Sequence, residues 1–127
     1  MHIEAALKES PLIGQACAVG DGRPHVTALV VLDPETTAVW AHACGLDGDV
    51  HVLAGAPEVR EVIQAHVDDI NSRFARPEQI KAFTVLGEEW LPDSDLLTPT
   101  AKLKRRGVMA RYRNEIDAMY APAELGS

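Results

Sequence analysis

The sequence predicts an α+β domain, a small sheet of about three strands packed by helices. Three observations carry that reading. Val26–Leu32 is apolar at even and odd positions alike and rich in β-branched residues, as in a strand covered on both faces. Residues 57–74 repeat apolar side chains at helical spacing, the pattern of an amphipathic helix lying on a sheet. Strand-like runs stand on both sides of that helix, with a further helical pattern at the end of the chain. The 127 residues suffice for one domain with a core of its own, and residues 1–127 are read as that single domain.

Taken in order, Ile3-Glu4-Ala5-Ala6-Leu7-Lys8 reads as a short helix. Nothing but Met1 and His2 stands ahead of it to cap it, so the chain is expected to begin in mid-architecture. Residues 14–19 and Val26–Leu32 flank Gly20-Asp21-Gly22-Arg23-Pro24, which supplies the residues of a hairpin loop. No helix starts after that Gly-Asp-Gly, so it reads as a turn and not as a phosphate cradle. Asp33-Pro34-Glu35 opens a helix with a capping carboxylate, a first-turn proline and an acid favoured by the dipole. Val39, Trp40 and Ala43 are expected on its inner face, and Gly45 should end it. In the long helix Val59, Val62, Ile63, His66, Val67, Ile70 and Phe74 form one stripe, until Pro77 breaks it. His66 reads as an edge member of that stripe. Residues 81–86 then alternate as a strand with Phe83 and Val85 on one face. A polar approach loop over residues 88–97 leads to a terminal helix. Its apolar stripe is Val108, Met109, Tyr112, Ile116 and Met119 or Tyr120, with Arg111 and Arg113 outward and both tyrosines read as packing groups. The tail from Pro122 should be loose.

Charge is divided unevenly. The net charge is −7, yet residues 1–96 hold 16 acidic and six basic side chains, while residues 97–127 hold three acidic and six basic ones. An acidic chain of this kind is a poor general binder of nucleic acid. No apolar run is long enough to span a bilayer, so no transmembrane segment is expected. Cys17 and Cys44 read as free thiols in a reducing, cytoplasmic setting. His42, Cys44 and His51, with Asp47 and Asp49 nearby, lack the paired spacing of a zinc site, and His2, His25 and His66 are scattered, so no metal site is expected.

All the positive charge of the last segment lies between Lys102 and Arg113, at the foot of a threonine/proline loop. A bare charge run there would be the solvated start of a helix. The order of residues says more. Thr98-Pro99-Thr100-Ala101-Lys102-Leu103-Lys104-Arg105 resembles, in register, the last core motif of the adenylate-forming enzymes, Thr-any-Ser-Gly-Lys-Ile-any-Arg. Residues 97–105 reproduce its form in long-chain acyl-CoA synthetases, Leu-Thr-Pro-Thr-any-Lys-Leu-Lys-Arg. Thr100 and Ala101 depart from the superfamily's Ser-Gly. The resemblance extends through Ile3-Glu4, Ser10-Pro11-Leu12-Ile13 and residues 16–29 to Gln79-Ile80-Lys81, and so covers nearly the whole chain.

The resemblance implies the C-terminal lid domain of an AMP-forming long-chain fatty-acid–CoA ligase, with an extra β-hairpin beside the Lys102 loop. Such enzymes join a fatty acid and ATP into acyl-AMP and pyrophosphate, then pass the acyl group to coenzyme A. It implies Lys102 as the catalytic lysine. A carboxylate attacking the α-phosphate is an anion meeting an anion, and a compact ammonium on a long stem can touch both. It implies Thr100, Lys104 and Arg105 as cofactor-binding residues. On their own chemistry, Lys104 is the competitor for the lysine's role, and Arg105 and Arg106 read as helix-terminal or interface charges. The implied partner is an N-terminal adenylation domain that holds the ATP phosphates, Mg2+ and the acyl tunnel. That domain and the hinge are expected outside this chain, which should therefore be inactive alone and, in the full-length enzyme, peripheral to the membrane at most. Two other classes stay open: a separate subunit docking on an adenylating domain, and a small module that binds a phosphorylated metabolite without chemistry.

Overall fold

In a computed structural model that describes residues 3–121, Val26–Leu32 forms the middle strand, β2, of a three-stranded sheet. β1 (Ile13–Val19) pairs with it antiparallel, and β3 (Ile80–Leu86) pairs with it parallel on the other side. The two-sided strand is as expected. Ala28, Val30 and Leu32 enter one buried cluster, and Leu29 and Val31 enter another.

A parallel neighbour requires a long crossover, which α2 (Pro34–Ala43), α3 (Val50–Ala54) and α4 (Pro57–Asn71) provide. Together with α1 (Ile3–Leu7) they cover one face, where Leu7, Leu53, Ile63, Val67 and Ile70 meet Val30 and Phe83. The other face is covered by α5 (Arg105–Arg111), α6 (Arg113–Tyr120) and the segment between β3 and α5. The sheet is thus a partition between two layers.

Several elements differ from the sequence reading, each for a visible reason. On α2 the inner positions are Thr37 and Ala41, while Val39 is 72% exposed, Ala43 is exposed and Trp40 is half-buried. The helix phase is set at its start: the Asp33 N–H donates to the Leu12 carbonyl at 2.8 Å, and the Thr37 hydroxyl donates to the same oxygen at 3.4 Å. Its two ends are as read. The Asp33 carboxylate accepts the Thr36 N–H at 2.9 Å, and Gly45, at φ +76°, closes a Schellman turn in which the Leu46 N–H reaches Ala41 O at 2.8 Å.

The long helix ends at Asn71, short of Phe74, because Asn71 is used otherwise. Its carboxamide pairs with both backbone groups of Ile80, at 3.0 and 2.8 Å, and so starts β3 as a substitute strand neighbour. Pro77 then lies in a short 3-10 turn, Arg76–Glu78. α3 has no counterpart in the sequence reading; five residues are too few for a periodic signal, and only its cap, Asp49 accepting the Val52 N–H at 3.1 Å, marks it. His66 stands half-buried on its stripe, with Nε2 2.9 Å from Ala6 O at the end of α1.

The terminal helix is two segments that meet at Tyr112, with Val108, Tyr112 and Ile116 buried and Arg111 and Arg113 exposed. Cys17 is a buried free thiol and Cys44 an exposed one. Among the described residues no helix is long and apolar enough to cross a membrane, and no group of three His, Cys, Asp or Glu side chains could hold a metal ion. Met1, His2 and the tail from Pro122 lie outside the described residues.

Candidate functional site

The cationic loop is a hairpin reduced to its minimum. Leu97 and Leu103 form a single antiparallel bridge, and α5 begins so soon after it that no ladder can follow. The tip is closed by its own backbone. The Thr98 N–H donates to Lys102 O and the Ala101 N–H to Thr98 O, both at 2.8 Å. The Lys102 N–H reaches the Thr98 hydroxyl at 3.0 Å, and the Thr100 hydroxyl stands 3.3 Å from it. Ala101 has φ 63°. That is the arrangement of a three-residue hairpin loop whose last residue is left-handed, with Pro99 at the position proline favours. The left-handed position is where the superfamily motif carries glycine.

Below the tip, Leu97 and Leu96 are buried and Leu103 packs against the same cluster, while Lys102 and Lys104 on either side of Leu103 are exposed. The leucines anchor the hairpin and the lysines face solvent. The Lys104 N–H donates to Leu96 O at 2.8 Å, so Lys104 begins where the hairpin is already tied down. Among the described residues neither lysine has a carboxylate partner.

The segment that delivers the hairpin is held by polar contacts at its base. The Ser94 hydroxyl donates to Leu91 O at 2.6 Å and accepts the Leu96 and Leu97 N–H groups at 3.1 and 3.3 Å. Buried Trp90 donates through Nε1 to the Tyr112 hydroxyl at 2.9 Å, and that hydroxyl donates to Glu88 at 2.7 Å. Burial, reinforced by the Glu88 carboxylate, pushes the Tyr112 phenol up to about 12. Arg111 completes the group with an ion pair to Glu88 at 3.3 Å. Tyr112 and Tyr120 are packing groups, as read, and each also carries a hydrogen bond that spacing did not reveal. The Tyr120 hydroxyl reaches the carbonyls of Val19 and His25 at 2.9 and 2.6 Å.

Arg105 is placed differently from the two lysines. It reaches around the edge strand β1 to Glu4 of α1 at 2.7 Å, and donates to Ala18 O at 3.1 Å. The buried Cys17 thiol beside it is pushed up to about 11 by burial and by Glu4, against the opposing pull of Arg105. Two clefts border α5. One, of about 900 Å³, has Arg23, Arg105, Arg106 and Arg113 around Ile3 and Met109. The other, of about 670 Å³, lies between Asp95 and α5 and includes Lys104 and Arg105. Lys102 lines neither. The structure therefore brings Lys104 and Arg105 to one cleft and leaves Lys102 and Thr100 on an exposed tip.

Comparison with known proteins gives the chain's family. Residues 1–124 match the family model described as the AMP-binding enzyme C-terminal domain, and the chain belongs to that family. It is 43% identical over 115 residues to fadD11 of Mycobacterium tuberculosis, which bears a fatty-acid–CoA ligase name; the match covers 91% of this chain and 20% of that one. It is 34% identical over 120 residues to the long-chain-fatty-acid–CoA ligase FadD15 of the same organism, covering 93% and 20% of the two chains. The chain thus spans about one fifth of the length of these relatives. Among solved structures, the adenylation domain of a carboxylic acid reductase from Segniliparus rugosus superposes with a TM-score of 0.70 at 25% identity, over 96% of this chain and 17% of that one. The adenylation domain of a Mycobacterium chelonae carboxylate reductase, at 24% identity, gives the same TM-score over 94% of this chain and 17% of that one, a likeness of fold.

Proposed function

We propose that residues 1–127 form the mobile C-terminal domain of an AMP-forming long-chain fatty-acid–CoA ligase, and that Lys102 is the lysine it presents for adenylation. The observation that carries this reading is the placement of Lys102: motif-matched, exposed on a closed hairpin, and bordering neither of the two clefts. An ammonium on an exposed tip becomes catalytic only when another surface brings substrate to it. That is the behaviour of a lid, which completes a site held by a larger partner. The partner here is an N-terminal adenylation domain joined by a hinge, and it holds the ATP phosphates, Mg2+ and the fatty acid.

In the adenylating pose, Lys102 lies against the fatty-acid carboxylate and the α-phosphate as the carboxylate attacks and pyrophosphate leaves, and it neutralises the charge gathering between them. In a second pose the same domain helps build the site where the coenzyme A thiol takes the acyl group and AMP departs. Thr100 and Lys104 are the cofactor-side residues of this proposal. Thr100 stands on the tip, and Lys104 and Arg105 stand at its base. The isolated chain lacks the phosphate-holding surface and forms no acyl-CoA.

The test is made on the full ligase carrying this domain, with Lys102→Ala and Lys104→Ala assayed in separate half-reactions. Lys102→Ala is expected to lower pyrophosphate exchange roughly a hundred- to a thousand-fold while thioester formation from preformed acyl-adenylate is kept. Loss confined to Lys104→Ala would move the active lysine by two positions. Exchange unchanged in both variants would leave the cationic loop as a helix start, and acyl-CoA formation by the isolated chain would refute the lid.

A further inference from the structure

We infer that Glu4 and Arg105 form a positioning pair that fixes the Lys102 hairpin to the first helix of the domain, and that Arg105 acts through this bracket. The inference rests on the functional reading above for its catalytic consequence, but the bracket itself is geometric. α1 and α5 lie in opposite layers, separated by the sheet. β1 is an edge strand, so the outward N–H and C=O of Ala18 lack a strand neighbour. Glu4 accepts the Ala18 N–H through Oε2 at 2.7 Å and the Arg105 guanidinium through Oε1 at 2.7 Å. Arg105 in turn donates to Ala18 O at 3.1 Å. The two side chains thus close a ring around one residue of the edge, in place of a missing strand. Among the described residues this is the one side-chain hydrogen bond joining the α1–α4 layer to the α5–α6 layer. Arg105 directly follows Lys104, whose N–H closes the hairpin on Leu96.

Glu4 is only 20% exposed, and the planar guanidinium fork meets carboxylate and carbonyl together. Lysine cannot reproduce that pairing. A displacement of α1 therefore passes to the base of the Lys102 hairpin through the pair and not only through the core.

Two measurements decide the matter. In the 127-residue chain, hydrogen exchange is followed in Glu4→Gln and Arg105→Lys. The Thr98, Lys102 and Lys104 amides should exchange about tenfold faster, with the α4 amides unchanged. Faster exchange confined to Ala18 would overturn the coupling. In the ligase, Arg105→Met should lower kcat for pyrophosphate exchange with the KM for ATP unchanged, and Arg105→Lys should recover only part of the loss. A raised KM for ATP with kcat retained would make Arg105 a direct nucleotide contact and overturn the inference. If Lys102→Ala has no effect on exchange, the functional reading fails, and the hydrogen-exchange result still decides whether the bracket couples α1 to the hairpin.

Discussion

The two faces of the sheet are held by different kinds of interaction. On the α4 face an apolar stripe dominates, with Val59, Ile63, Val67 and Ile70 in one cluster with Val30, Leu32 and Phe83, and the side-chain hydrogen bonds of Thr37, His66 and Asn71 go to backbone atoms at the ends of elements. On the α5–α6 face the apolar set is joined to a buried Trp90–Tyr112–Glu88 network, the Ser94 turn and the Glu4–Arg105 bracket. An apolar stripe stabilises a fold without fixing any atom closely, since volume-conserving exchanges in such a layer usually cost under about 1.5 kcal/mol. Directional hydrogen bonds and close backbone approach fix positions. The α4 face supplies most of the helix packing, and the contacts of the other face hold the hairpin in place.

The largest expected effect follows from the closest approach. A Cβ on Gly107 would overlap the carbonyl oxygen of Asp95, a backbone atom with no rotamer to yield. Glycine in the first half of α5 costs about 1 kcal/mol in helix propensity, so its presence there has a steric reason. Gly107→Ala should destabilise the chain by about 2–4 kcal/mol, a fall in melting temperature on the order of 10 °C. Melting at the wild-type temperature would show that α5 and the approach segment are not in contact, and the contrast between the faces would weaken.

A smaller effect is expected at Tyr112. Tyr112→Phe keeps the buried ring but leaves the Trp90 N–H without its acceptor and Glu88 with Arg111 as its remaining donor. The cost should be about 1–2 kcal/mol in chemical denaturation. The pH dependence gives a second check. The folded-state phenol is raised from 10.0 to about 12, so its contribution is complete below pH 10 and is lost as pH rises toward 12. Tyr112→Phe should flatten stability over that alkaline range. An equal slope in both proteins would mean that the hydroxyl is not held as described.

The same contrast explains what could be read in the sequence. β2, the hairpin loop after β1, the caps of α2 and the stripe of α4 were legible, because each repeats a local rule of spacing or capping. Val39 faces outward, against the sequence expectation, because the phase of α2 is set from outside, by the Leu12 carbonyl. The end of α4 is not legible in the periodicity because Asn71 serves β3, nine positions away. Lys102 is singled out by motif alone, and nothing in composition separates it from Lys104. Glu4, Glu88 and Gly107 carried no signal toward the hairpin. Their partners lie 101, 24 and 12 positions away in sequence, and a single sequence does not reveal pairings of that range.

The smallest expected effect lies at the tip. Ala101 holds φ 63° on an exposed turn, a conformation that costs a residue with a Cβ about 1 kcal/mol. The superfamily's glycine at this position avoids that cost, while enlarging the freedom of the unfolded chain by about 0.4–1 kcal/mol. The two terms nearly cancel. Ala101→Gly should therefore raise stability by no more than about 0.5 kcal/mol, and any gain belongs to the tip, where Leu97 and Leu103 anchor it. Stability can be followed by denaturant titration and the tip by the exchange rate of the Thr98 amide. A loss of about 1 kcal/mol would show that residue 101 is not left-handed in solution. Little change in stability with slower Thr98 exchange would show that the strain is local. It would then concern the aim of Lys102 and leave the domain's folding unaffected, as expected of a face whose contacts serve position.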